Sequence, residues 1–296
     1  MQYLIDASVY VFRAYYSMPD DMVDGDGNPV NALYGYCRFL GDFLEQVNPE
    51  YVAVLFDESL TTSFRTEIYP EYKANRDPAP PELKRQFQQC RRLTSALGVM
   101  EQGSPRYEAD DLIGTLVAHG RTVRRPSTII SRDKDLAQLL SREDVFWDFA
   151  GRGKVGYEQV PDVFGVWPEQ IADFLALAGD AVDNIKGVPG VGKKTASALL
   201  EHFGSLDGIY ENLDRVHEVQ VRGAKTLGAK LETHRDSAFL ARRLTSIACD
   251  APMDDIESTL RRTAPRLGEV NALYDEADIG QALRRQAERI ADLSRY

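Results

Sequence analysis

The sequence predicts an α/β protein whose first half carries a mostly parallel sheet and whose second half is all helix. Two observations carry this. Short apolar runs of strand length, "QYLID" at 2–6 and "YVAVLFD" at 51–57, each close on an aspartate and flank a stretch of helical apolar spacing, "NALYGYCRFLGDFLEQV" at 31–47; strands alternating with helices favour a parallel sheet. From about Trp167 onward the apolar pattern is helical and stays so. A boundary near residue 165 therefore separates an α/β domain, 1–165, from a helical region, 166–296.

Between these landmarks the elements follow in order. Residues 61–92, "TTSFRTEIYPEYKANRDPAPPELKRQFQQCRR", are rich in Arg, Lys, Tyr and Pro and lack a continuous apolar face until about Leu83. They predict a mobile or arching segment that leads into a helix. "GVM" at 98–100 fits a short strand, and "YEADDLIGTLVAHG" at 107–120 a helix with acids in its first turn. "STIISRDKDLAQLL" at 127–140 reads as a strand, an acidic turn and a helix, and "DVFWDF" at 144–149 as a further strand. "PEQIADFLALAGD" at 168–180 and "KTASALLEHFG" at 194–204 are helices around a glycine-rich turn, and 226–295 is polar amphipathic helix.

The chain has 296 residues, 43% hydrophobic and 27% charged, an ordinary globular composition. No apolar run reaches the ~18 residues of a membrane span, and "MQYLIDASVY" lacks the basic and apolar regions of a signal peptide. Three scattered cysteines give neither a disulfide framework nor a zinc spacing. The expectation is a cytoplasmic protein with no membrane partner. A net charge of −11 argues against a nucleic-acid partner unless the acids are clustered and neutralised by cations.

The placement of the acids favours such a cluster. Asp6, Asp57, Asp133 and Asp135 lie at or just past predicted strand ends, where open parallel sheets bind ligands. Glu108, Asp110 and Asp111 crowd a helix start, and Asp180 and Asp183 follow the "FLALAG" helix. Singly, each reads as a turn or cap residue. Together they would point carboxylates at one edge of one sheet, a repulsion that calls for counter-ions. All-oxygen donors without His or Cys suit Mg²⁺ or Mn²⁺, and two such ions form a clamp for phosphoryl chemistry.

"GVPGVGKKTASALL", 187–200, has the look of a phosphate cradle. A P-loop would place Ser or Thr directly after Lys193, where Lys194 stands, and would follow a strand rather than a helix. A helix–hairpin–helix fits better: Gly187, Gly190 and Gly192 turn the backbone, Pro189 stiffens it, and the next helix offers free amides to a backbone phosphate.

At this point the chain resembles the 5′-nuclease superfamily, the flap endonucleases and the 5′→3′ exonuclease domain of bacterial DNA polymerase I. The resemblance rests on "FDES…SFRTEIYPEYKANR", "YEADDLIGTL", "SRDKDLAQLL" and "LAGDAVDNIKGVPGVGKKTASALL", and covers the chain from Asp6 to about Asp250. It implies a PIN-like α/β domain with a helical arch over about 61–92, then a helix–three-turn–helix DNA-binding region over about 168–203. It implies a first metal on Asp6, Asp57, Glu108 and Asp110, with Asp111 beside them, and a second on Asp133, Asp135, Asp180 and Asp183. Lys73 and Arg76 of "YKANR" match the basic pair that stabilises the scissile phosphate, Tyr72 would stack on a base, and Arg65 would contact phosphate. Backbone carbonyls of Leu177, Ala178, Lys186, Val188 and Val191 align with a potassium site, and Gly190, Val191, Gly192, Lys193, Lys194 and Thr195 with the DNA grip. No polymerase segment follows in this sequence, so a free-standing monomeric nuclease is expected.

The implied function is Mg²⁺-dependent, two-metal hydrolysis of DNA with a 5′ flap, 5′ overhang or free 5′ end, with Mn²⁺ as a substitute and K⁺ as an accessory ion. The competing readings are a non-catalytic structure-specific DNA-binding protein and an RNA-directed nuclease of the same fold.

Overall fold

The computed structural model describes residues 1–58, 62–149, 151 and 153–293. Residue 61, the first of the expected arch, and residues 294–296 of the expected helical region lie outside the described residues. Six strands form one sheet in the order β3-β2-β1-β4-β5-β6. They are β1 (Gln2–Asp6), β2 (Tyr51–Asp57), β3 (Met100–Ser104), β4 (Ser127–Ile130), β5 (Val145–Asp148) and β6 (Gly153–Gly156). The first five run parallel, and β6 closes the edge antiparallel to β5. Leu4 of β1 sits opposite Ala53 of β2 and Ile129 of β4.

Fourteen helices accompany the sheet among the described residues: α1 (Ala7–Ser17), α2 (Asn31–Val47), α3 (Phe64–Ile68), α4 (Pro81–Ala96), α5 (Ala109–Thr122), α6 (Val160–Phe164), α7 (Ile171–Ala178), α8 (Lys193–Phe203), α9 (Leu206–Glu211), α10 (Ala224–Thr233), α11 (Arg235–Thr245), α12 (Ile256–Leu260), α13 (Leu267–Glu276) and α14 (Gln281–Leu293). Strand side chains alternate between faces. Leu4, Ala53, Leu55 and Ile129 therefore enter one apolar layer with α5 and the helices from α7 to α12. Ile5, Val52, Val54, Phe56 and Ile130 enter the other, with α1, α2, α4, α13 and α14. Both faces are covered, which is why the inner strands read as unbroken apolar runs.

Four elements depart from the sequence expectation. Helix α1 follows β1 without a gap and has no counterpart in the predicted elements; Asp6 caps it by accepting from the Ser8 amide at 3.1 Å. The third strand begins at Met100 rather than Gly98. Gly98 (φ 76°) turns the chain out of α4 and packs its Cα against the Thr263 carbonyl, where a side chain would not fit. Residues 134–139 form a 3₁₀ rather than an α-helix. Strand β6, only four residues long and rich in glycine, carries no alternation to detect.

The expected arch lies against the body of the protein. Ser63 and Arg65 are buried at α3, and α4 sends Leu83, Cys90 and Leu93 into the core. Between them the 70–76 turn leans on the 180–186 turn. The Lys73 amide donates to the Asp183 carbonyl (3.0 Å), Asn75 Nδ2 to the Ala181 carbonyl (3.0 Å), and Asn184 Nδ2 to the Glu71 carbonyl (2.7 Å). No helix is long and apolar enough to cross a membrane among the described residues.

Candidate functional site

The strand order reverses between β1 and β4, and the crevice beyond that reversal is where open α/β sheets bind ligands. Asp6 closes β1 and Asp57 closes β2, while Ser131, Arg132 and Asp133 follow β4. Each aspartate uses part of its hydrogen-bonding capacity to shape the crevice. Asp6 accepts from the Ser8 amide and from Ser131 Oγ (2.8 Å). Asp57 accepts from Ser8 Oγ (2.8 Å) and from the Ala109 amide at the start of α5 (2.9 Å). Asp133 accepts from the Asp135 amide (3.0 Å), and Asp180 from the Val182 amide (2.9 Å). Ser8 and Ser131 thus order the acids, although the sequence reading passed over them. Their only signal is a position two residues after Asp6 and two before Asp133.

A cleft of about 890 Å³ gathers Asp6, Asp57, Glu108, Asp110, Asp133, Asp135, Asp180 and Asp183, with Lys73 and Arg76 at the same opening. The two halves of the chain both contribute. Burial, and next the Asp57 carboxylate, push Asp6 up to about 7. Burial, then Asp133, Asp6 and Asp57, raise Asp110 well above the usual carboxylate range. Asp135 is pushed up to about 8 by burial and by Asp133, Asp180 and Asp183. These groups hold one another's charge in check only at a cost, because the cations among them are few.

Lys73 is the principal cation inside. Its Nζ stands 2.9 Å from Glu108 and 3.8 Å from Asp183, and its backbone is left-handed (φ 54°), an uncommon conformation for lysine. Arg76 pairs with Asp183 as well. As the side chains stand, no three His, Cys, Asp or Glu residues among the described ones are drawn together closely enough to hold a metal ion. The donor set nevertheless fits a hard cation: every ligand offered is a carboxylate oxygen, and the accumulated charge is unbalanced.

Four of the expected residues stand in other surroundings than those expected: Asp111, Arg65 and Tyr72 here, and Val191 in the glycine-rich turn. Asp111 does not face the cleft. It is 0% exposed and accepts from both terminal guanidinium nitrogens of Arg65 at 2.7 Å, the Glu108 amide at 3.0 Å and the Ala248 amide at 2.9 Å. Arg65 lines the cleft but is committed to protein partners: 3% exposed, it also donates to the carbonyls of Leu244 and Ser246. Tyr72 offers no face to a base, being 4% exposed with its hydroxyl shared between the carboxylates of Glu108 (3.0 Å) and Asp183 (3.1 Å). The cleft does carry an aromatic wall elsewhere. Phe12 and Phe87 line it and meet edge to face, centroids 5.4 Å apart.

The glycine-rich turn lies between α7 and α8. Gly179 (φ 80°) and Gly187 pass so closely that a side chain on either would collide with the other's backbone. The Val188 amide donates to the Leu177 carbonyl (2.9 Å) and the Val191 amide to the Val188 carbonyl (2.9 Å). Val191 therefore has no amide to give a phosphate and its side chain is buried. Gly190 (φ 82°) turns outward and Gly192 caps α8. The amides of Lys193, Lys194 and Thr195 head the helix with no helical carbonyl to accept them, and both lysines are exposed. A helix and a turn precede this loop, not the strand a P-loop requires. Lys186 is exposed, its Nζ 3.4 Å from Glu71. The carbonyls of Leu177, Ala178, Lys186, Val188 and Val191 all belong to this crossing.

Residues 1–165 match the 5′-3′ exonuclease N-terminal resolvase-like domain, and residues 166–290 the 5′-3′ exonuclease C-terminal SAM fold. DNA polymerase I of Pseudomonas aeruginosa is 40% identical over 276 residues, 93% of this chain and 30% of that protein. DNA polymerase I of Bacillus subtilis is 35% identical over 294 residues, 98% of this chain and 32% of that protein. The chain thus spans about a third of the length of these relatives. Two solved structures share the fold: the zinc-bound T5 5′-exonuclease (TM-score 0.67, 20% identity, 99% of each chain) and the catalytic core of Rad2 with DNA substrate (TM-score 0.62, 16% identity, 99% of this chain and 91% of that one).

Proposed function

Because the chain belongs to the 5′-3′ exonuclease family, we propose that it hydrolyses phosphodiester bonds of DNA bearing a free 5′ end, a 5′ overhang or a 5′ flap, with divalent cations as cofactor. The observation that supports this most directly is the meeting of carboxylates from both halves of the chain in one cleft beneath Lys73 and Arg76. Asp6, Asp57, Glu108 and Asp110 would hold one Mg²⁺ and Asp133, Asp135, Asp180 and Asp183 another, Mn²⁺ substituting. Bound there, the ions would supply charge stabilisation to a displacement at phosphorus.

The chain's own groups do the rest. Lys73 and Arg76 leave their carboxylates and neutralise charge developing on the phosphate. Unpaired bases find the faces of Phe12 and Phe87. The amides of Lys193, Lys194 and Thr195 hold a backbone phosphate of the duplex without reading sequence, which sets the distance from grip to cut. The carbonyls of Leu177, Ala178, Lys186, Val188 and Val191 are the group that would coordinate K⁺ behind that grip.

A labelled 5′-flap duplex incubated with the full chain in Mg²⁺, with products sized on a gel, tests this. We expect release of the 5′ strand, its loss in EDTA, and its loss in Asp133→Ala. Full cleavage by Asp133→Ala would place the chemistry elsewhere, and binding without cleavage in Mg²⁺ or Mn²⁺ would leave a structure-specific DNA-binding protein. A matched RNA flap cut as fast as DNA would overturn the choice of substrate.

A further inference from the structure

Among the described residues, Asp180 and Asp183 are the carboxylates that the second half of the chain brings to the cleft. They follow α7, and α11 packs along that helix. The Thr245 hydroxyl, in the last turn of α11, donates to the Ala172 carbonyl of α7 at 2.9 Å. What holds α11 therefore holds α7 and the acids at its end. The 70–76 turn grips those acids from the cleft mouth; α11 fixes the helix beneath them.

Beyond Thr245 the chain continues as a strap without regular secondary structure, and Thr245 and Ile247 line the cleft. The last carbonyls of α11 have no helical donor, and backbone groups taken from water must find partners. Side chains of the α/β half supply them. Arg65 of α3 donates through Nε to the Leu244 carbonyl (2.8 Å) and through Nη2 to the Ser246 carbonyl (2.9 Å). Gln138, on the 3₁₀ turn at 134–139, donates to the Thr245 carbonyl and accepts from the Ile247 amide, both at 3.1 Å. Only a group with donor and acceptor together can make that pair of bonds. Asp111 of α5 accepts from the Ala248 amide (2.9 Å) and also from the Glu108 amide (3.0 Å). One carboxylate thus touches both the strap and the backbone of a cleft acid.

We propose that Gln138 and Arg65 are positioning residues: with Asp111 they splice the 244–248 strap to the α/β half and so set Asp180 and Asp183 across the cleft from Asp6, Glu108 and Asp133. This rests on those carboxylates holding divalent cations together. A purely structural contact would affect stability alone. A splice that sets the gap between two groups of acids affects cation affinity as well, because carboxylates from both halves must reach the bound ions.

The test is Mn²⁺ binding to the full chain without DNA, followed by calorimetric titration, beside Mg²⁺-dependent cleavage of a labelled 5′-flap duplex. Gln138→Leu removes both of its bonds to the strap. Arg65→Lys keeps a charge beside Asp111 and loses the fork. Each should weaken Mn²⁺ binding by about 10-fold, as for loss of an outer partner of metal ligands. The Mg²⁺ needed for half-maximal cleavage should rise in step, with affinity for the duplex in EDTA unchanged. Leu273→Ala, in the core under α13, should lower the melting temperature at least as much as Gln138→Leu yet leave Mn²⁺ binding unchanged. In an Asp180→Asn/Asp183→Asn background, Gln138→Leu should add nothing to the loss, since the acids it positions are gone. If Gln138→Leu binds Mn²⁺ as the unaltered chain does, if Leu273→Ala weakens binding equally, or if Gln138→Leu keeps its full effect in the double Asn background, the positioning role is wrong and the metal cleft stands. If the unaltered chain binds no Mn²⁺ and cuts nothing, the cleft reading and the splice fall together.

Discussion

Asp6 shows why a cap residue and a ligand can be the same residue. Its carboxylate orders the start of α1 and ties β4 through Ser131, yet it remains on the cleft wall. Asp110 and Asp111 are neighbours with opposite fates: one faces the acids, the other closes a buried pair with Arg65. Asp110→Asn should therefore abolish hydrolysis, by at least ~100-fold as for loss of one key electrostatic group, without lowering the melting temperature in EDTA. Asp111→Ala should instead destabilise the protein by about 3–5 kcal/mol, because it strands a buried guanidinium; urea unfolding of the two variants separates these outcomes. The raised carboxylates also give stability a pH dependence. Asp6 has an ordinary value of 3.8 and a folded value of about 7, so the folded chain binds a proton that the unfolded chain has released. That contribution is complete below about pH 4 and is lost as pH rises through 7. In EDTA the melting temperature should fall from pH 5 to pH 8, less so in Asp6→Asn, and saturating Mg²⁺ should flatten the curve. A rising curve in EDTA would contradict the charge crowding described.

Among the elements, two turns decide the shape of the cleft mouth. The 180–186 turn is built on the Gly179–Gly187 crossing, and the 70–76 turn rests on it through Lys73, Asn75 and Asn184. Gly187→Ala puts a methyl group against backbone atoms that cannot swing aside. It should cost roughly 1–3 kcal/mol and loosen both turns, seen as a lower melting temperature and faster proteolysis within 70–76. Unchanged cleavage there would mean that the turns are independent. The sequence anticipated α2, from Asn31 to Val47, because its apolar spacing is that of one helix face. It gave no sign of α1, whose "ASVYVFRAYYS" mixes β-branched and aromatic residues of weak helix propensity. That helix exists because Asp6 caps it and because Tyr10, Val11 and Ala14 find a core to enter.

Over the whole molecule, the chain returns at its end to where it began. Helices α13 and α14 bury Val270, Leu273, Leu283, Ala287 and Ile290 in the apolar layer that holds α1 and α2. Gln286 packs on Gly41 and donates to Asp42 (2.9 Å) and Glu45 (2.8 Å), which Arg289 also pairs. Residues beyond about 250, whose sequence announced only amphipathic helix, thus form part of the sheet's cover. A chain ending at residue 265 would keep every cleft carboxylate yet expose that layer. It should aggregate or melt well below the full chain, measured by light scattering and calorimetry; an equally stable truncated protein would mean that the returning helices contribute nothing.

By itself the sequence determined the strands that end in aspartate, the division into sheet and helix, and the acids that would have to meet. Those features are written in local periodicity and residue type, which neighbours along the chain suffice to specify. Only the tertiary structure decided which acids face the cleft and which are consumed. Asp110 and Asp111 differ by one residue on α5, so the helix turns them about 100° apart. What each carboxylate meets there comes from segments far along the chain: Asp133, Asp6 and Asp57 for one, Arg65 and Ala248 for the other.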